Sequence, residues 1–567
     1  MGLFLFNSPP TPLFEERGAA RQGEFPIKTS KFTDAAVNKT MKTLIPSLII
    51  LSTLLATDRF KGELPIGLTA EEQTRIHEIY TMGRETDPPP GPVRNVAEYE
   101  RMQGVLIRYP FGISTALIAE MSQDVTIYCL VSSGSQNSAN SSMSNGNVNM
   151  ENVVYVTGST DSYWTRDYGP WWVVDGNRDV SVVDFTYNRP RPNDNQAPSK
   201  MSDLLGTPYF ANDLVHAGGN YMTDGMGLSA STNLVYEEND ISNGEIHQIM
   251  DDYYGIETYH VVDDPNNTYI DHIDCWGKYL SPTKVLIREV PASHAQYDEI
   301  EATATYFGNA MNEWGEAWEV YRVWTPNNQP YTNSLILNEK VLVPVTGSSW
   351  DDEAIESYEE AMPGFDIIPF TGSWESTDAL HCRIKGIPDL LMLQVFHNPI
   401  NDSTEALDNG YLVEVIIDDL SEAGLIEDSI KVFWKTPGMN DWNPESLYGS
   451  DVPEEPDLWS GWIPSQGEPG TIQYFIQSAD SSSRIENSPI AGWHEFLALP
   501  PNTCLEWALG DMNNSGNLDV MDILILADYV SSGEFPGACP QSVSDVNEDS
   551  NLNIMDVIIL VNLIMNP

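Results

Sequence analysis

Asp271-His272-Ile273-Asp274-Cys275-Trp276-Gly277-Lys278 sets one imidazole between two carboxylates in a single short run. If the run is extended, His272 and Asp274 share one face of a strand and Cys275 points to the other. About a hundred residues later comes Asp378-Ala379-Leu380-His381-Cys382, and upstream stands Trp164-Thr165-Arg166-Asp167-Tyr168-Gly169-Pro170. Gly218-Gly219-Asn220 and Thr332-Asn333-Ser334 lie between them. Together the runs supply a thiol, an imidazole and two carboxylates, each in a distinctive local context.

These runs fall in a stretch where short β-rich segments alternate with helical patterns. Val105–Tyr109, Val153–Val156, Trp171–Val174, Val285–Ile287 and Val341–Val345 read as strands. Ala292–Trp314 and Asp352–Met362 read as helices, and Cys129, in Val125–Val131, as a buried core thiol. The pattern predicts an α/β catalytic domain over 95–400.

The proposed chemistry follows from the residue types. A guanidinium is planar, cationic and resonance-stabilised. Opening it takes carboxylates that fix its N–H edges, a strong nucleophile and a proton source for the departing ammonia. A thiolate is the strongest common nucleophile in proteins, and a bound cation favours its formation. The set therefore suits attack on an arginine-like side chain, with Cys382 as the thiol left over once the other cysteines are assigned.

The ordered runs resemble the Porphyromonas-type bacterial peptidylarginine deiminases and their relatives the agmatine deiminases, within the pentein guanidine-modifying superfamily. The resemblance implies a five-bladed pseudo-symmetric α/β propeller. It implies that Asp167 and Asp274 grip the guanidinium, His272 is the acid and base, Cys382 is the nucleophile and Asn333 assists. Trp164, Tyr269 and Ile270 would line the arginine's stem, and no cofactor would be needed. Arg189 and Arg191 fall where the peptidylarginine branch binds a substrate carboxylate, which favours C-terminal peptidyl-arginine over agmatine. As ordinary side chains, the same two arginines would pair at the surface with Asp184 and Asp194. Agmatine deimination to N-carbamoylputrescine is the rival reaction, and a non-catalytic tethered component the rival class.

The flanks are distinct. Over 401–499, short strands at Tyr411–Ile417, Ser429–Trp434 and Thr471–Ile476, separated by turn-rich sequence, suit an Ig-like β-sandwich. Over 505–567, two repeats place oxygen-bearing residues at alternate loop positions: Asp511, Asn513, Ser515, Asn517, Asp519 and Asp522, then Asp545, Asn547, Asp549, Asn551, Asn553 and Asp556. Such loops hold a hard Ca²⁺ ion, and each runs directly into an apolar helix. The doubled unit resembles a type I dockerin, which implies two structural Ca²⁺ ions and a cohesin-like partner. Cys504 and Cys539 bracket one repeat as the plausible disulfide.

At the other end, residues 1–40 read as an over-called extension and 41–57, with the apolar run Leu44–Ala56, as a secretory signal. Residues 58–94 read as a linker. The chain is then expected to be exported, with no membrane span after signal removal. Its 567 residues carry a formal net charge of −55, which repels nucleic acid and makes nucleic-acid binding an unsuitable function.

Overall fold

The computed structural model describes residues 64–400, 403–407, 409–450, 452, 457–501, 507–532, 543–547 and 551–565. The expected extension, the signal segment and the Cys504–Cys539 pair lie outside them, as does Asp549.

One connection recurs five times. A first strand pairs antiparallel with a second, and the second pairs parallel with a third. In the first blade these are Trp171–Val174, Val180–Tyr187 and Tyr209–His216. The second uses Met222–Thr223, Leu228–Thr232 and Thr258–Val262; the third uses Gly277–Tyr279, Lys284–Glu289 and Glu319–Trp324. The fourth uses Leu335–Leu337, Lys340–Val345 and Asp366–Thr371. In the fifth, Lys385–Pro388 from the end of the domain pairs antiparallel with Met102–Arg108 from its start, which pairs parallel with Thr126–Val131. That last pairing closes the ring, so the domain is a five-bladed α/β propeller.

Each second and third strand are joined through a helix, because a parallel pair needs a long crossover. The helices are Ala197–Leu205, Asn243–Tyr254, Tyr297–Asn309, Asp351–Ala361 and Thr115–Met121. Asn243–Tyr254 shows how local sequence sets the ends: Ser242 and Glu245 form a capping box, and Gly255 ends it in the left-handed conformation. The helix expected over Ala292–Trp314 is shorter, since its last turn stops at Ala310, whose backbone is extended. All of Val180–Tyr187 is buried, including the polar Ser181, Asp184 and Thr186.

The stretch expected as a linker over 58–94 is structured from Ile66 onward. A 3₁₀ helix spans Glu72–Thr81, and Arg94–Asn95 adds an edge strand to the first blade. Residues 393–499 form two packed sheets. Tyr411, Val413, Val415 and Ile417 of one face Val432, Ile472, Tyr474 and Phe496 of the other, the alternation of a sandwich. The tail packs helices Val520–Ser532 and Ile554–Met565 around Leu526, Tyr529 and Leu560.

Candidate active site

Immediately before the first strand of every blade the chain makes one tight turn. These turns are Thr165–Tyr168, Gly218–Asn220, Ile273–Cys275, Tyr331–Asn333 and His381–Arg383. Each ends two or three residues before its strand, so the repeated topology delivers five equivalent points toward one centre. The residues at those points are Asp167, Gly219, Asp274, Asn333 and Cys382.

Gly219 sits at the meeting point. A Cβ built on it would lie 2.6 Å from Asp167 Oδ1, 2.7 Å from His272 Nδ1 and 3.2 Å from Asp274 Oδ2. Only the absence of a side chain lets these three groups converge. The backbone N–H of Gly219 donates to Asp167 Oδ1 at 3.2 Å, and His272 Nδ1 is 3.6 Å from the same oxygen. The side-chain oxygen of Asn220 accepts from Ile273 N at 3.3 Å and from Thr232 N at 3.0 Å, locking the turn that carries His272 and Asp274.

Cys382 Sγ lies 3.6 Å from Asp274 Oδ2 and accepts from Asn333 Nδ2 at 3.2 Å. Asn333 Oδ1 also accepts from Ala379 N at 3.0 Å and Cys382 N at 3.4 Å, so this amide clamps the turn holding the thiol. Beneath Asp274 lies a charged network. His381 Nδ1 is 2.8 Å from Asp274 Oδ2, and its Nε2 is 2.7 Å from Glu98 Oε2. Glu98 also takes Arg166 at 2.6 Å and Lys278 at 2.8 Å.

Burial sets the protonation states. It raises the Asp167 carboxyl well above the usual range, and the neighbouring Asp274 charge adds to this. Burial acts on Asp274 in the same sense, but the hydrogen bond and charge of His381 outweigh it and hold that carboxyl below its ordinary value. Burial pushes His272 down to about 3, so it is a neutral base. Burial, with Asp274, Asp378 and Asp167 nearby, pushes the Cys382 thiol well up. The resting site therefore holds a thiol, a neutral imidazole and unequal carboxyls, a combination that a cation would reorganise.

Several expectations are corrected. His272 and Asp274 do not share a strand face; Ile273–Cys275 is a 3₁₀ turn, and both side chains converge because the turn bends around Gly219. Cys275 is consequently not opposed to Asp274; its Sγ lies 3.7 Å from Asp274 Oδ1 and 3.6 Å from the carbonyl of Thr377. Tyr269 is 68% exposed, its ring lying across Gly67. Ile270 and Trp164 are buried, and the Arg383 guanidinium lies 5.4 Å from the Trp164 ring.

Arg189 and Arg191 are buried rather than superficial. Arg189 Nε donates to the carbonyl of Ile66 at 3.0 Å. Arg191 donates through Nε to Glu72 Oε1 at 2.7 Å, and through the NH2 nitrogen to Glu72 Oε2 at 3.3 Å and Gly67 O at 3.1 Å. Gly219, Lys278 and His381 stood in the quoted runs without an assigned role, and Glu98 and Glu72 escaped the sequence reading. The position of Gly219 beside the strand-turn run was the available signal; Glu98 and Glu72 have none, being isolated acids in an acidic chain.

In the tail, buried Asp511 accepts the backbone N–H groups of Ser515 and Gly516, while buried Asp522 accepts those of Met512 and Asp519. Asp556 repeats the second arrangement with Asn547 and Asn553. Among the described residues no three His, Cys, Asp or Glu side chains gather as a metal centre, so a bound Ca²⁺ would draw further oxygens from Asn, Ser and backbone groups. Buried, loop-closing carboxylates at the first and last loop positions fit that hard cation.

Residues 108–388 match the family described as Porphyromonas-type peptidyl-arginine deiminase, and residues 509–565 match the dockerin type I domain. An agmatine deiminase of Pseudomonas aeruginosa (strain LESB58) is 24% identical over 288 residues, which is 42% of this chain and 76% of that protein. The solved agmatine deiminase of Enterococcus faecalis is 18% identical, with a TM-score of 0.48 over 55% of this chain and 100% of its own. That of C. jejuni is 15% identical, with a TM-score of 0.45 over 52% and 96%. The propeller is thus similar to guanidine-modifying deiminases, hydrolases of amidine C–N bonds, and the tail to a calcium-binding dockerin.

Proposed function

We propose that this chain hydrolyses the guanidinium of peptidyl-arginine, preferably at a peptide's C-terminus, to citrulline and ammonia. The observation that carries the reading is the convergence of Asp167, His272 and Asp274 on the space left by Gly219, with Cys382 Sγ 3.6 Å from Asp274 Oδ2.

A guanidinium entering the site beside these converged groups is gripped along its N–H edges by Asp167 and Asp274. Its charge lets Asp167 ionise and brings down the Cys382 thiol, which burial otherwise keeps protonated. Neutral His272 takes the thiol proton as Sγ attacks the guanidinium carbon. The tetrahedral adduct collapses by breaking one C–N bond, and the imidazolium returns the proton to the departing nitrogen as ammonia. His272 then takes a proton from water as its oxygen attacks the S-alkylthiouronium. Breaking the C–S bond releases citrulline as the imidazolium returns its proton to sulfur, and the adduct's hydroxyl proton leaves to solvent, carrying away the charge the guanidinium brought in. Across the cycle one water is consumed and one ammonia leaves, with no redox change. Asn333 keeps Sγ in place, and Trp164 with Ile270 provides apolar surface for the stem.

A second reading, agmatine deimination, is favoured by Glu72, whose carboxylate already occupies Arg191. Ammonia release measured on agmatine, free arginine, and peptides with internal or terminal arginine separates the two. A kcat/KM highest for agmatine would overturn the peptidyl reading. The tail supports a calcium-dependent attachment to a cohesin-like module and an extracellular location. Among the described residues no helix is long and apolar enough to cross a membrane.

A further inference from the structure

The arginine pair is covered by the chain itself. Residues 66–72 run across it as a strap: the Ile66 carbonyl takes Arg189 at 3.0 Å and the Gly67 carbonyl takes Arg191 at 3.1 Å. Glu72 then grips Arg191 with both oxygens, at 2.7 and 3.3 Å. The strap is built to hold Glu72 there. Thr69 and Glu72 exchange reciprocal hydrogen bonds, Thr69 N to Glu72 Oε2 at 2.8 Å and Glu72 N to Thr69 Oγ1 at 3.1 Å. Ile66, Gly67 and Glu72 are buried. At Gly67 the strap passes beneath an exposed ring, since a Cβ there would stand 2.6 Å from Tyr269 Cε2.

The strap also reaches the chemistry. Arg189, held by Ile66, is near enough for its charge to act on both Asp167 and His272. The catalytic residues beyond it are buried, with Cys382 and His272 at 0% exposure, so a peptide reaches them only when some covering element moves.

We propose that Glu72 is a specificity-determining residue, an internal carboxylate that competes with a substrate's α-carboxylate for Arg191. This rests on the deiminase reading and on the arginine pair receiving a carboxylate. Two anions cannot share one guanidinium edge, and the internal one is tethered, so its effective concentration is on the order of millimolar or higher. With the strap in place Arg191 is closed to arginine bearing a free carboxylate, so the C-terminal preference proposed above is expressed only once the strap moves. Displacing the strap opens Arg191 to such substrates. Tyr269, lying across Gly67, holds the strap down.

The test reads binding without turnover. In the full chain carrying Cys382→Ser, calorimetry measures the affinity of a short peptide ending in arginine and of the same peptide as its C-terminal amide. Adding Glu72→Gln keeps side-chain shape and hydrogen-bonding capacity near Thr69 but removes the competing charge. The preference for acid over amide should rise about tenfold or more. Tyr269→Ala, which leaves the ion pair untouched, should move the preference the same way by about threefold, and it serves if Glu72→Gln fails to fold. A preference unchanged within twofold, an equal change for both peptides, or no binding of either overturns the proposal. Ammonia release by the unmodified enzyme is scored separately. If no guanidine substrate is hydrolysed, the deiminase reading falls whatever the binding ratio shows.

Discussion

Replacing Gly219 with alanine is the smallest change that should disable the site. The added methyl would stand 2.6 Å from Asp167 Oδ1 and 2.7 Å from His272 Nδ1, each about 0.7 Å short of ordinary contact. Neither neighbour can yield freely. Asp167 and His272 are buried, and their facing atoms are only 3.6 Å apart. Gly219 does not have a positive φ, so the backbone tolerates alanine and the damage is local to those side chains. Overpacking of this kind costs about 1–3 kcal/mol of stability. Displacing reacting groups by nearly 1 Å costs about a hundredfold in rate, or about 2.7 kcal/mol of barrier. Ammonia release under saturating substrate, compared with thermal unfolding of the same preparation, separates the effects. A Gly219→Ala enzyme whose kcat is within threefold of wild type would refute the argument that this missing side chain is what lets the reacting groups converge.

Other consequences follow from the same geometry. Glu98→Gln leaves Arg166 and Lys278 facing a neutral amide in the interior, so chemical denaturation should show a loss of about 3–5 kcal/mol; a change below about 1 kcal/mol would show the network is dispensable. Because burial and three carboxylates raise the Cys382 thiol, its proton is retained at neutral pH and lost only above the ordinary thiol range. Alkylation of Cys382 by iodoacetamide without substrate should therefore be slow at pH 7 and still rising above pH about 9; a plateau below pH 8 contradicts the assignment. Chelation with EDTA should lower the unfolding temperature of the 507–565 unit while ammonia release persists, and loss of both together would tie calcium to the catalytic ring.

What could be read in the sequence was what depends on short range. Trp171–Val174 and the sandwich strands announce themselves by apolar and alternating patterns, and their bounds agree with the structure to within a few residues. The ring itself was legible only through resemblance. The repeated unit is a turn, three short strands and a helix, and its turn recurs as a backbone shape, realised as Thr165–Tyr168 in one blade and Gly218–Asn220 in another. No residue pattern survives across such different turns. Asp167, Asp274, Asn333 and Cys382 could be named because motifs flank them, but their common position before the first strand of each blade could not. Partners distant in sequence were invisible. Glu98 meets His381 across 283 residues through ring closure, and Glu72 meets Arg191 across 119 through the segment that precedes the ring, neither set by local preference. The extended reading of His272–Cys275 failed because a tight turn and a strand cannot be told apart over three residues.

The central claim is that Cys382 Sγ bonds to the guanidinium carbon during turnover. Acid-quenching the enzyme in the steady state with an arginine peptide, then locating adducts by mass spectrometry, measures this directly. The account predicts an adduct of the peptide's mass less ammonia on Cys382 and none on Cys129 or Cys275. Steady ammonia release from a Cys382→Ala enzyme, or an adduct confined to Cys275, would contradict it.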